Sequence, residues 1–363
     1  MMRSVSLLTS SFWLLLFISS CHKNEPCTTC PPSGPNTTSH SFNFTQFTFG
    51  GNAGSSHFED VAIINDSLAY AVGAVYLTDS LGNPDPNAYN FAKWNGVHWE
   101  LKRIQFLTIC GQSSQTPYPA KAILSFSDSD IWIAMAGDQI VRWNGSTQSA
   151  SVCLPVSFSV NKLWGESANS IYAVGNGGNI LHYDGSAWTK LESGTTVDLQ
   201  DVWGSSDGKT VWACGRTYNN FQSILLKYDG TSWKTVWTLG ATTTPPYGDL
   251  VTSLWGTSTL YVASNLGIYT QDISGADMAK QILSIDHFAY RIRGSAENNI
   301  AVAGDFAMIW HYNGGTWRLL NETNANQVLF SAAVSSQLIV GVGSDFNVGI
   351  GLGAGLIYMG RRQ

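Results

Sequence analysis

The sequence predicts an all-β fold, namely a single β-propeller of seven four-stranded blades in which an N-terminal strand closes the last blade. A unit typified by residues 160–193, VNKLWGESANSIYAVGNGGNILHYDGSAWTKLES, recurs along the chain. The copies lie about 40–50 residues apart, which is the usual length of a propeller blade. The last copy lacks its final strand, whereas residues 41–49 form a strand-like stretch that belongs to no other copy.

The chain begins with a segment that is typical of exported proteins. Arg3 supplies a positive charge, and residues 14–18, LLLFI, form the centre of an apolar stretch that is too short to span a bilayer. Residues 18–21, ISSC, resemble a bacterial lipobox, in which the cysteine becomes lipidated. We therefore expect residues 1–20 to be a lipoprotein signal peptide. The lipid on Cys21 would anchor the protein at the bacterial cell envelope, on the outer membrane or cell surface; an ordinary signal peptide is the alternative.

Residues 21–40 are predicted to be a flexible tether. Pro, Ser, Thr and Asn dominate this segment and offer little surface to bury. The tether leaves residues 41–363 for the propeller.

The remaining cysteines leave several pairings open. Cys27 and Cys30 have CxxC spacing, but neither a strand–helix context nor a second ligand pair accompanies them. We therefore expect a local disulfide or free thiols there, not a redox or metal site. Cys110 and Cys153 flank the second blade, and an exported protein permits a disulfide between them. That pairing would leave Cys214 single.

Each complete copy divides into four short strands, here called a to d. In the unit 160–193 they span about 160–165, 170–175, 178–183 and 187–192. Asp184-Gly185 lies between strands c and d at the position of a tight hairpin turn, where glycine supplies a positive φ. The copies are residues 58–102, 120–153, 160–193, 199–237, 251–283, 289–320 and the half-copy 328–360.

Two positions recur within the copies for structural reasons. A tryptophan three residues after the turn glycine is expected to pack between blades; it is Trp99, Trp188, Trp233 and Trp317. Another position accepts Lys, Arg or His alike, which predicts a solvated face; its occupants are Lys93, Arg142, His182, Lys227 and His311. We therefore expect a structural role for the two histidines.

The seventh copy stops at residues 356–360, LIYMG, and the chain ends at Gln363 without a d strand. Residues 41–49, SFNFTQFTF, alternate apolar and polar side chains, as a half-buried strand does. We expect this strand to be the d strand of the last blade. Such closure joins the two ends of the propeller and removes an open sheet edge.

Residues 163–188 and 291–317 resemble the repeats of bacterial secreted or lipoprotein β-propellers. Those repeats are related to the sialidase-type short repeats and to propellers of the photosystem II assembly-factor type. The resemblance covers residues 41–363 and implies the fold, but it carries over no catalytic residue. The sialidase motif Ser-x-Asp-x-Gly-x-Thr-Trp has its nearest counterpart in residues 205–212, where the Asp and Gly are adjacent instead of separated.

The composition excludes some classes of partner. Charged residues make up 12% of the chain, the net charge is −6 and no Lys/Arg run occurs, so nucleic acid is not an expected partner. The chain contains no nucleophile elbow or nucleotide motif, and we expect no cofactor, no metal and no catalytic residue. Asp79, Asn83, Asp85 and Asn87 alternate as calcium ligands do, but they lack the Gly and Glu of an EF-hand loop.

Long connections at one end of the ring are the predicted location of function, because the d–a and b–c loops often carry it in propellers. The b–c loops 74–91 and 216–222 and the d–a loops 108–119 and 238–249 are longer than their counterparts. Candidate ligand-binding residues on them are Asp79, Asp85, Tyr89, Arg216, Tyr218 and Tyr247. Neutral drift in tolerant loops is the competing interpretation.

Four further candidates share one position near the end of strand a, which lines the channel. They are Trp164, Trp203, Trp255 and Arg293. These side chains either pack between blades or form an aromatic platform that stacks on a sugar or a peptide.

The favoured function is a non-enzymatic, membrane-anchored propeller, expected to be a monomer, that binds a protein or glycan partner at the cell envelope. A carbohydrate-active hydrolase or lyase is one alternative, and it would need two carboxylates ~5–9.5 Å apart in the axial mouth. Asp60 and Asp201 share a strand-a position in the first and fourth blades, so we expect them on opposite sides of the ring. An assembly factor for an envelope complex, suggested by the resemblance, is the other alternative.

Overall fold

The computed structural model describes residues 36–217, 221–240, 247–275, 277–323, 326–346 and 352–363. Within these residues the chain forms seven four-stranded sheets and one additional two-stranded sheet, all antiparallel. The predicted signal peptide, Cys21, Cys27, Cys30 and Tyr218 lie outside the described residues. No helix in the described part of the chain has the length and hydropathy needed to cross a membrane.

The strands are numbered in chain order, and blades 1 to 7 follow the order of their a strands. Before and within blades 1 and 2, the strands are β1 (Phe42–Gly50), β2 (His57–Asn65), β3 (Leu68–Val75), β4 (Tyr89–Trp94), β5 (Trp99–Lys102), β6 (Phe106–Leu107), β7 (Gln115–Thr116), β8 (Ala120–Ser127), β9 (Asp130–Met135), β10 (Gln139–Trp143) and β11 (Val152–Cys153). Blades 3 and 4 contain β12 (Val160–Ser167), β13 (Ser170–Gly175), β14 (Ile180–Tyr183), β15 (Trp188–Leu191), β16 (Leu199–Gly204), β17 (Val211–Thr217), β18 (Gln222–Tyr228) and β19 (Trp233–Thr238). Blades 5 to 7 contain β20 (Val251–Gly256), β21 (Thr259–Ser264), β22 (Gly267–Asp272), β23 (Lys280–Ser284), β24 (Ala289–Ala296), β25 (Asn299–Gly304), β26 (Ile309–Tyr312), β27 (Trp317–Asn321), β28 (Gln327–Val334), β29 (Leu338–Asp345) and β30 (Ala354–Arg362). A 3₁₀ turn, Asn176–Gly178, connects β13 to β14.

The seven a strands form a closed ring around the axis. They are β2, β8, β12, β16, β20, β24 and β28, and each contacts the next one, with β28 returning to β2. The predicted seven-bladed propeller is therefore confirmed.

The predicted ring closure is also confirmed. Strand β1 pairs antiparallel with β30 from Phe42 opposite Arg362 to Gly50 opposite Ala354. Its aromatic side chains pack on both faces of the sheet of blade 7. Phe42 and Phe44 pack on the core between blades 6 and 7, whereas Phe47 packs on the core between blades 7 and 1. The apolar alternation of residues 41–49 reflects this double role.

The core of the described protein consists of seven apolar clusters, and each lies between two consecutive blades. The recurring tryptophans occupy these clusters as expected. Trp188, for example, is buried, and its ring centroid lies 6.3 Å from that of Trp132 in the preceding blade. One four-stranded sheet cannot bury both of its faces, and stacking around an axis covers every sheet.

His311 does not lie on the solvated face that its recurring position predicts. The side chain is completely buried. The reason is local: residues just before β1 pack on blade 6, where Nδ1 of His40 lies 2.8 Å from Nδ1 of His311 and Thr38 donates a 3.0 Å hydrogen bond to the carbonyl of Asn313. The end of the segment predicted as a tether thus contacts the propeller and covers a position that is at least partly exposed in the four other blades in which Lys, Arg or His occupies it.

Cys110 and Cys153 form the disulfide that the sequence permits, across 43 positions of the chain. The bond joins the hairpin of β6 and β7 to β11 at the outer edge of blade 2. Cys214 is buried in strand β17 and carries no disulfide.

Candidate functional site

The two ends of the ring differ. We call the end that carries the b–c and d–a connections, such as residues 76–88 and 103–119, the loop face. The opposite end, which carries the a–b and c–d turns, such as residues 66–67 and 95–98, is the turn face. Most connections of the turn face are short hairpin turns, whereas residues 103–119 contain the extra strands β6 and β7.

Both ends of one loop expected from the sequence, residues 216–222, are strand instead. Arg216 and Thr217 belong to β17 and pair with Ser223 and Gln222 of β18. The b–c connection of blade 7, between Asp345 and Ala354, is longer than its counterparts in most blades and is not among the loops predicted to be long.

Exposed apolar side chains concentrate on the loop face. Ten large apolar side chains are exposed among the described residues. Six of them lie on b–c or d–a connections: Leu81, Ile109, Phe221, Leu266, Phe306 and Phe346. Only Val97 and Met278 lie on connections of the turn face, and the other two are on outer strands. Exposed apolar surface at one end of a protein is typical of a binding surface.

Backbone strain is found on the same face. Non-glycine residues with positive φ in the described chain are Phe221 (49°), Phe306 (56°) and Ala307 (51°). All three lie on b–c connections. Such conformations cost about 1–3 kcal/mol each and concentrate at functional sites. Phe306 combines this strained backbone with a partly exposed aromatic side chain.

The a strands place equivalent residues in layers along the axis. The first layer, nearest the loop face, lines an axial cavity of about 230 Å³ together with Arg216 and Arg291. It consists of Glu59, Lys121, Asn161, Gln200, Thr252, Tyr290 and Phe330. Every blade therefore contributes one side chain to the wall of this cavity.

The second layer is a buried network of charges. It consists of Asp60, Ala122, Lys162, Asp201, Ser253, Arg291 and Ser331. Its polar members meet one another through hydrogen bonds and ion pairs, so the network closes the channel below the cavity.

Asp60 forms one half of this network. Its carboxylate accepts hydrogen bonds from Nζ of Lys162, the backbone N–H of Ile123 at 3.0 Å and Oγ of Ser331 at 2.8 Å. Burial alone would raise the pKa of Asp60, but the positive charges of Lys162 and Arg291 lower it below the ordinary value. Burial lowers the pKa of Lys162 to about 8, against the attraction of Asp60.

Asp201 forms the other half. Its carboxylate accepts hydrogen bonds from Nη2 of Arg293 at 2.7 Å and from Oγ of Ser253 at 2.5 Å, and it forms an ion pair with Nη1 of Arg291 at 3.0 Å. Burial would raise the pKa of Asp201, but the two arginines lower it well below the usual range. Both axial carboxylates are therefore held ionised, and neither is suited to act as a general acid.

Asp60 and Asp201 belong to one electrostatic system. Although they lie in blades 1 and 4, Lys162 and Arg291 each act on both carboxylates. Both aspartates face the axis and are bridged by cations. The arrangement is that of an internal ion network and not of a carboxylate pair open to a substrate.

The third layer contains the predicted aromatic candidates. The structure brings Trp164, Trp203 and Trp255 together, with ring centroids 6.2 and 6.3 Å apart along the series. Arg293 ends the series, with its Cζ 5.3 Å from the ring centroid of Trp203. Trp164 and Trp255 are buried between blades, and Nε1 of Trp203 donates to the carbonyl of Gly256 at 2.8 Å.

The candidates on the first long loop stabilise the loop itself. Asp79 accepts hydrogen bonds from the backbone N–H groups of Leu81 and Asn83, at 2.8 and 2.9 Å. Asp85 forms an ion pair with Arg103, whose guanidinium lies 4.1 Å from the ring centroid of Tyr89. No group of three or more His, Cys, Asp or Glu residues in the described chain is arranged to hold a metal ion.

The two remaining described candidates lie in different surroundings. Arg216 is buried in the wall of the axial cavity, with its Cζ 5.1 Å from the ring centroid of Phe288 and 5.7 Å from that of Tyr290. Tyr247 is buried in the core between blades 4 and 5, where its hydroxyl donates to Oε1 of Gln271 at 2.5 Å and burial raises its pKa to about 12. Tyr247 is therefore part of the interior.

None of the seven first-layer residues was predicted from the sequence. A signal for them exists, because Asn161, Gln200, Thr252 and Tyr290 each precede the shared Trp or Arg position by three residues. Their side chains have no common chemistry, so the repeat alone does not single them out.

Comparisons with known proteins agree on the fold. No protein-family profile matches the chain. A structure of YCF48 bound to D1 peptide superimposes with a TM-score of 0.61 at 13% identity and covers 92% of this chain and 99% of that one. YCF48 from Cyanidioschyzon merolae superimposes with a TM-score of 0.55 at 13% identity and covers 87% of this chain and 98% of that one. The computationally designed Ika8 protein superimposes with a TM-score of 0.52 at 11% identity and covers 86% of this chain and 98% of that one. These likenesses support the propeller resemblance and establish the architecture alone.

One curated protein matches in sequence over part of its length. The Immune protein Tsi7 of Pseudomonas aeruginosa is 33% identical over 106 residues. The aligned segment spans 29% of this chain and 31% of that protein.

Proposed function

We propose that the protein is a non-enzymatic, membrane-anchored β-propeller of the cell envelope that binds a protein partner on its loop face. The observation that carries the proposal is the concentration of exposed apolar side chains there, six of the ten in the described chain. An axial cavity opens on the same face. A structural neighbour bound to a peptide and a partial match to an immune protein are compatible with a protein partner.

A glycan partner is less well supported by the side chains. Sugar binding in propellers needs aromatic rings that are open to the ligand. Trp164 and Trp255, two of the candidates for such a platform, are buried between blades. Among the described residues, the exposed aromatic side chains are phenylalanines, such as Phe306 and Phe346, which lack a polar group for sugar hydroxyls.

A hydrolase or lyase is also less well supported. Its best carboxylate pair, Asp60 and Asp201, is held ionised within a buried network. A glycosidase of the common type needs one carboxylic acid whose pKa is raised.

Photo-crosslinking in cells that produce the protein tests the binding face. A photoreactive phenylalanine analogue is placed at Leu81, Phe306 or Phe346 on the loop face, and at Val97 or Met278 on the turn face as matched exposed controls. We expect the loop-face positions to give a common crosslinked protein and the turn-face positions to give none. Crosslinks confined to the turn face, or no crosslinked protein from any position, would overturn the proposal.

Anchoring at the envelope is proposed from the sequence of residues 18–21, because Cys21 lies outside the described residues. Metabolic labelling with a fatty acid tests it. Label should enter the wild type and be absent from Cys21→Ala, since only a thiol at the cleavage point accepts the lipid. Equal labelling of the two proteins would rule out the anchor.

A further inference from the structure

Two residues that line the axial cavity each have a buried polar atom that has no hydrogen-bond partner within the described part of the chain. They are Nε of Arg291, a donor, and Oδ1 of Asn161, an acceptor. Both residues line the cavity, and they are 8% and 5% exposed. A buried polar atom left unpaired costs about 1–3 kcal/mol, so such atoms in a native protein call for a partner.

The orientation of both side chains is fixed by other contacts. Nδ2 of Asn161 donates to Oδ1 of Asn176 at 2.9 Å and to the carbonyl of Leu199 at 2.8 Å, which leaves Oδ1 as the unpaired atom. Nη1 of Arg291 is engaged by Asp201 at 3.0 Å. The unpaired Nε and the unpaired Oδ1 are thus held in place before any ligand arrives.

The charge around the cavity favours an anion. The wall contains Lys121, Arg216 and Arg291 against a single carboxylate, Glu59. Below the wall, Lys162 of the second layer and Arg293 of the third layer neutralise the two aspartates. Five cations therefore face three carboxylates, although the whole chain has a net charge of −6. An excess of cations in a recessed site with low-dielectric walls attracts anions strongly.

The wall also has an apolar side. Tyr290 and Phe330 meet edge to face, with ring centroids 5.9 Å apart. A volume of about 230 Å³ has room for the end of a chain or one side chain, and not for a folded segment.

We propose that the axial cavity binds the C-terminal carboxylate of a peptide or protein partner. The carboxylate accepts from Arg291 Nε, the N–H of the last residue donates to Asn161 Oδ1, and an apolar last side chain packs on Tyr290 and Phe330. A simple anion would leave the Asn161 acceptor unpaired, whereas a peptide end offers acceptor and donor together. The inference rests on the proposed function and names the chemistry of its ligand.

Binding of immobilised peptide libraries to the full-length protein tests the inference. One library consists of random hexapeptides attached by their N-termini, with free C-terminal carboxylates, and the second is the same library with amidated C-termini. We expect the protein to retain at least tenfold more of the free-carboxylate library. Equal retention of the two, or retention of neither, would overturn the inference, and stronger binding to a polygalacturonate probe would assign the site to an acidic sugar instead.

Three variants localise the effect to the cavity. Arg291→Lys keeps the charge beside Asp201 but lacks Nε, and it should lose at least fivefold of the preference for the free carboxylate. Glu59→Gln removes the one carboxylate of the wall and should raise binding about threefold, whereas Lys121→Gln should lower it. The gain in Glu59→Gln cannot come from unfolding. An unchanged preference in all three variants would overturn the assignment to this cavity.

The photo-crosslinking experiment separates this inference from the proposed function. If Arg291→Lys and Lys121→Gln still crosslink to the same partner from the loop face with wild-type yield, the partner binds without the cavity. The carboxylate inference then fails while the proposed function remains. If the wild type itself does not crosslink from the loop face, the proposed function fails first.

Discussion

Lys162 in blade 3 donates a hydrogen bond from its Nζ to Oδ2 of Asp60 in blade 1, with blade 2 between them. Ala122 occupies the equivalent position in blade 2 and is small enough to let the two side chains meet. The same pattern joins blades 4 and 6, where Asp201 binds Arg291 across the small Ser253 of blade 5. The equivalent position of the a strand thus holds an acid, a small residue and a cation in blades 1 to 3, and the same series recurs in blades 4 to 6.

The first prediction concerns this axial pair. Asp60→Ala should lower the free energy of unfolding by about 3–5 kcal/mol, because it leaves the Lys162 ammonium buried without its partner. Denaturant unfolding followed by tryptophan fluorescence measures the loss. The matched control is Asp207→Ala, which breaks the exposed pair of Asp207 and Lys209 and should change stability by less than about 1 kcal/mol.

Replacing both partners provides a second check. Asp60→Ala combined with Lys162→Met removes the unpaired charge, and we expect the double variant to be more stable than Asp60→Ala alone. Equal losses for Asp60→Ala and Asp207→Ala would show that the axial pair contributes no more than a surface pair.

The repeat made the fold predictable from the sequence, whereas the residues of the axial site could not be predicted from it. Trp188 and its counterparts recur because every pair of blades needs the same large residue, and residues 41–49 stand out because they belong to no copy. The first layer needs no such repetition, since Asn161, Tyr290 and Phe330 each supply different chemistry to one cavity.

Local covering explains another difference from the sequence-based expectation. His182 and His311 occupy equivalent positions, but only His311 is completely buried, because His40 approaches it from outside its own copy. Contacts between segments about 270 residues apart are invisible in a comparison of repeats. Likewise, Arg216 looks like a loop residue until its strand pairing with Ser223 is known.

The closing strand gives the second prediction. Phe44→Asp should lower the melting temperature by several degrees, because its side chain packs on the core between blades 6 and 7. Thr45→Asp, at the neighbouring exposed position, is the matched control and should melt within about one degree of the wild type. Deletion of residues 41–49 should be more severe and cause aggregation, since it opens a sheet edge. Wild-type melting of the deletion variant would show that closure does not stabilise the ring.

The third prediction concerns pH. Burial lowers the pKa of His311 to about 3, with further contributions from His40 and Arg362. The unfolded chain binds a proton near pH 6.5 and the folded one does not, so the stability is fully present above about 6.5 and is lost as pH falls toward 3. We expect melting temperatures to fall across this window.

The slope of that profile distinguishes His311 from the other titratable groups. His311→Gln should flatten the decrease between pH 6.5 and 4, by up to about 1.4 kcal/mol per pH unit. His98→Gln, a change at an exposed histidine, should leave the slope unchanged. If both variants follow the wild-type profile, proton binding by His311 does not limit stability at low pH.

The disulfide gives the fourth prediction. For a loop of 43 residues the chain-entropy relation gives at most about 4 kcal/mol of stabilisation. Cys110→Ser with Cys153→Ser should therefore lower the free energy of unfolding by about 2–4 kcal/mol, measured by denaturant titration without reductant.

Burial raises the pKa of the Cys214 thiol well above its usual value, so peptide mapping should find it unmodified by iodoacetamide in the folded protein. Modification of Cys214 at the rate of a free thiol would contradict its buried position.

The last prediction concerns the loop of blade 1. Residues 78–84 form a small hairpin in which Thr78 bridges Pro84 and Leu81 is 84% exposed, whereas Leu77 packs on the core and Asp85 binds Arg103. Replacing residues 78–84 with a short Gly-Ser turn keeps both anchors and should leave the melting temperature within about two degrees of the wild type.

Crosslinking from Phe306 should fall at least fivefold in this variant, because an exposed apolar side chain of the loop face is gone. Val97→Ser, a change of similar exposure on the turn face, is the matched control and should crosslink like the wild type. Trp188→Ala serves as the control for damage to the core, and it should lower the free energy of unfolding by about 3–5 kcal/mol. Unfolding of the loop variant would mean that residues 78–84 stabilise the ring, and undiminished crosslinking would place the partner on another part of the face.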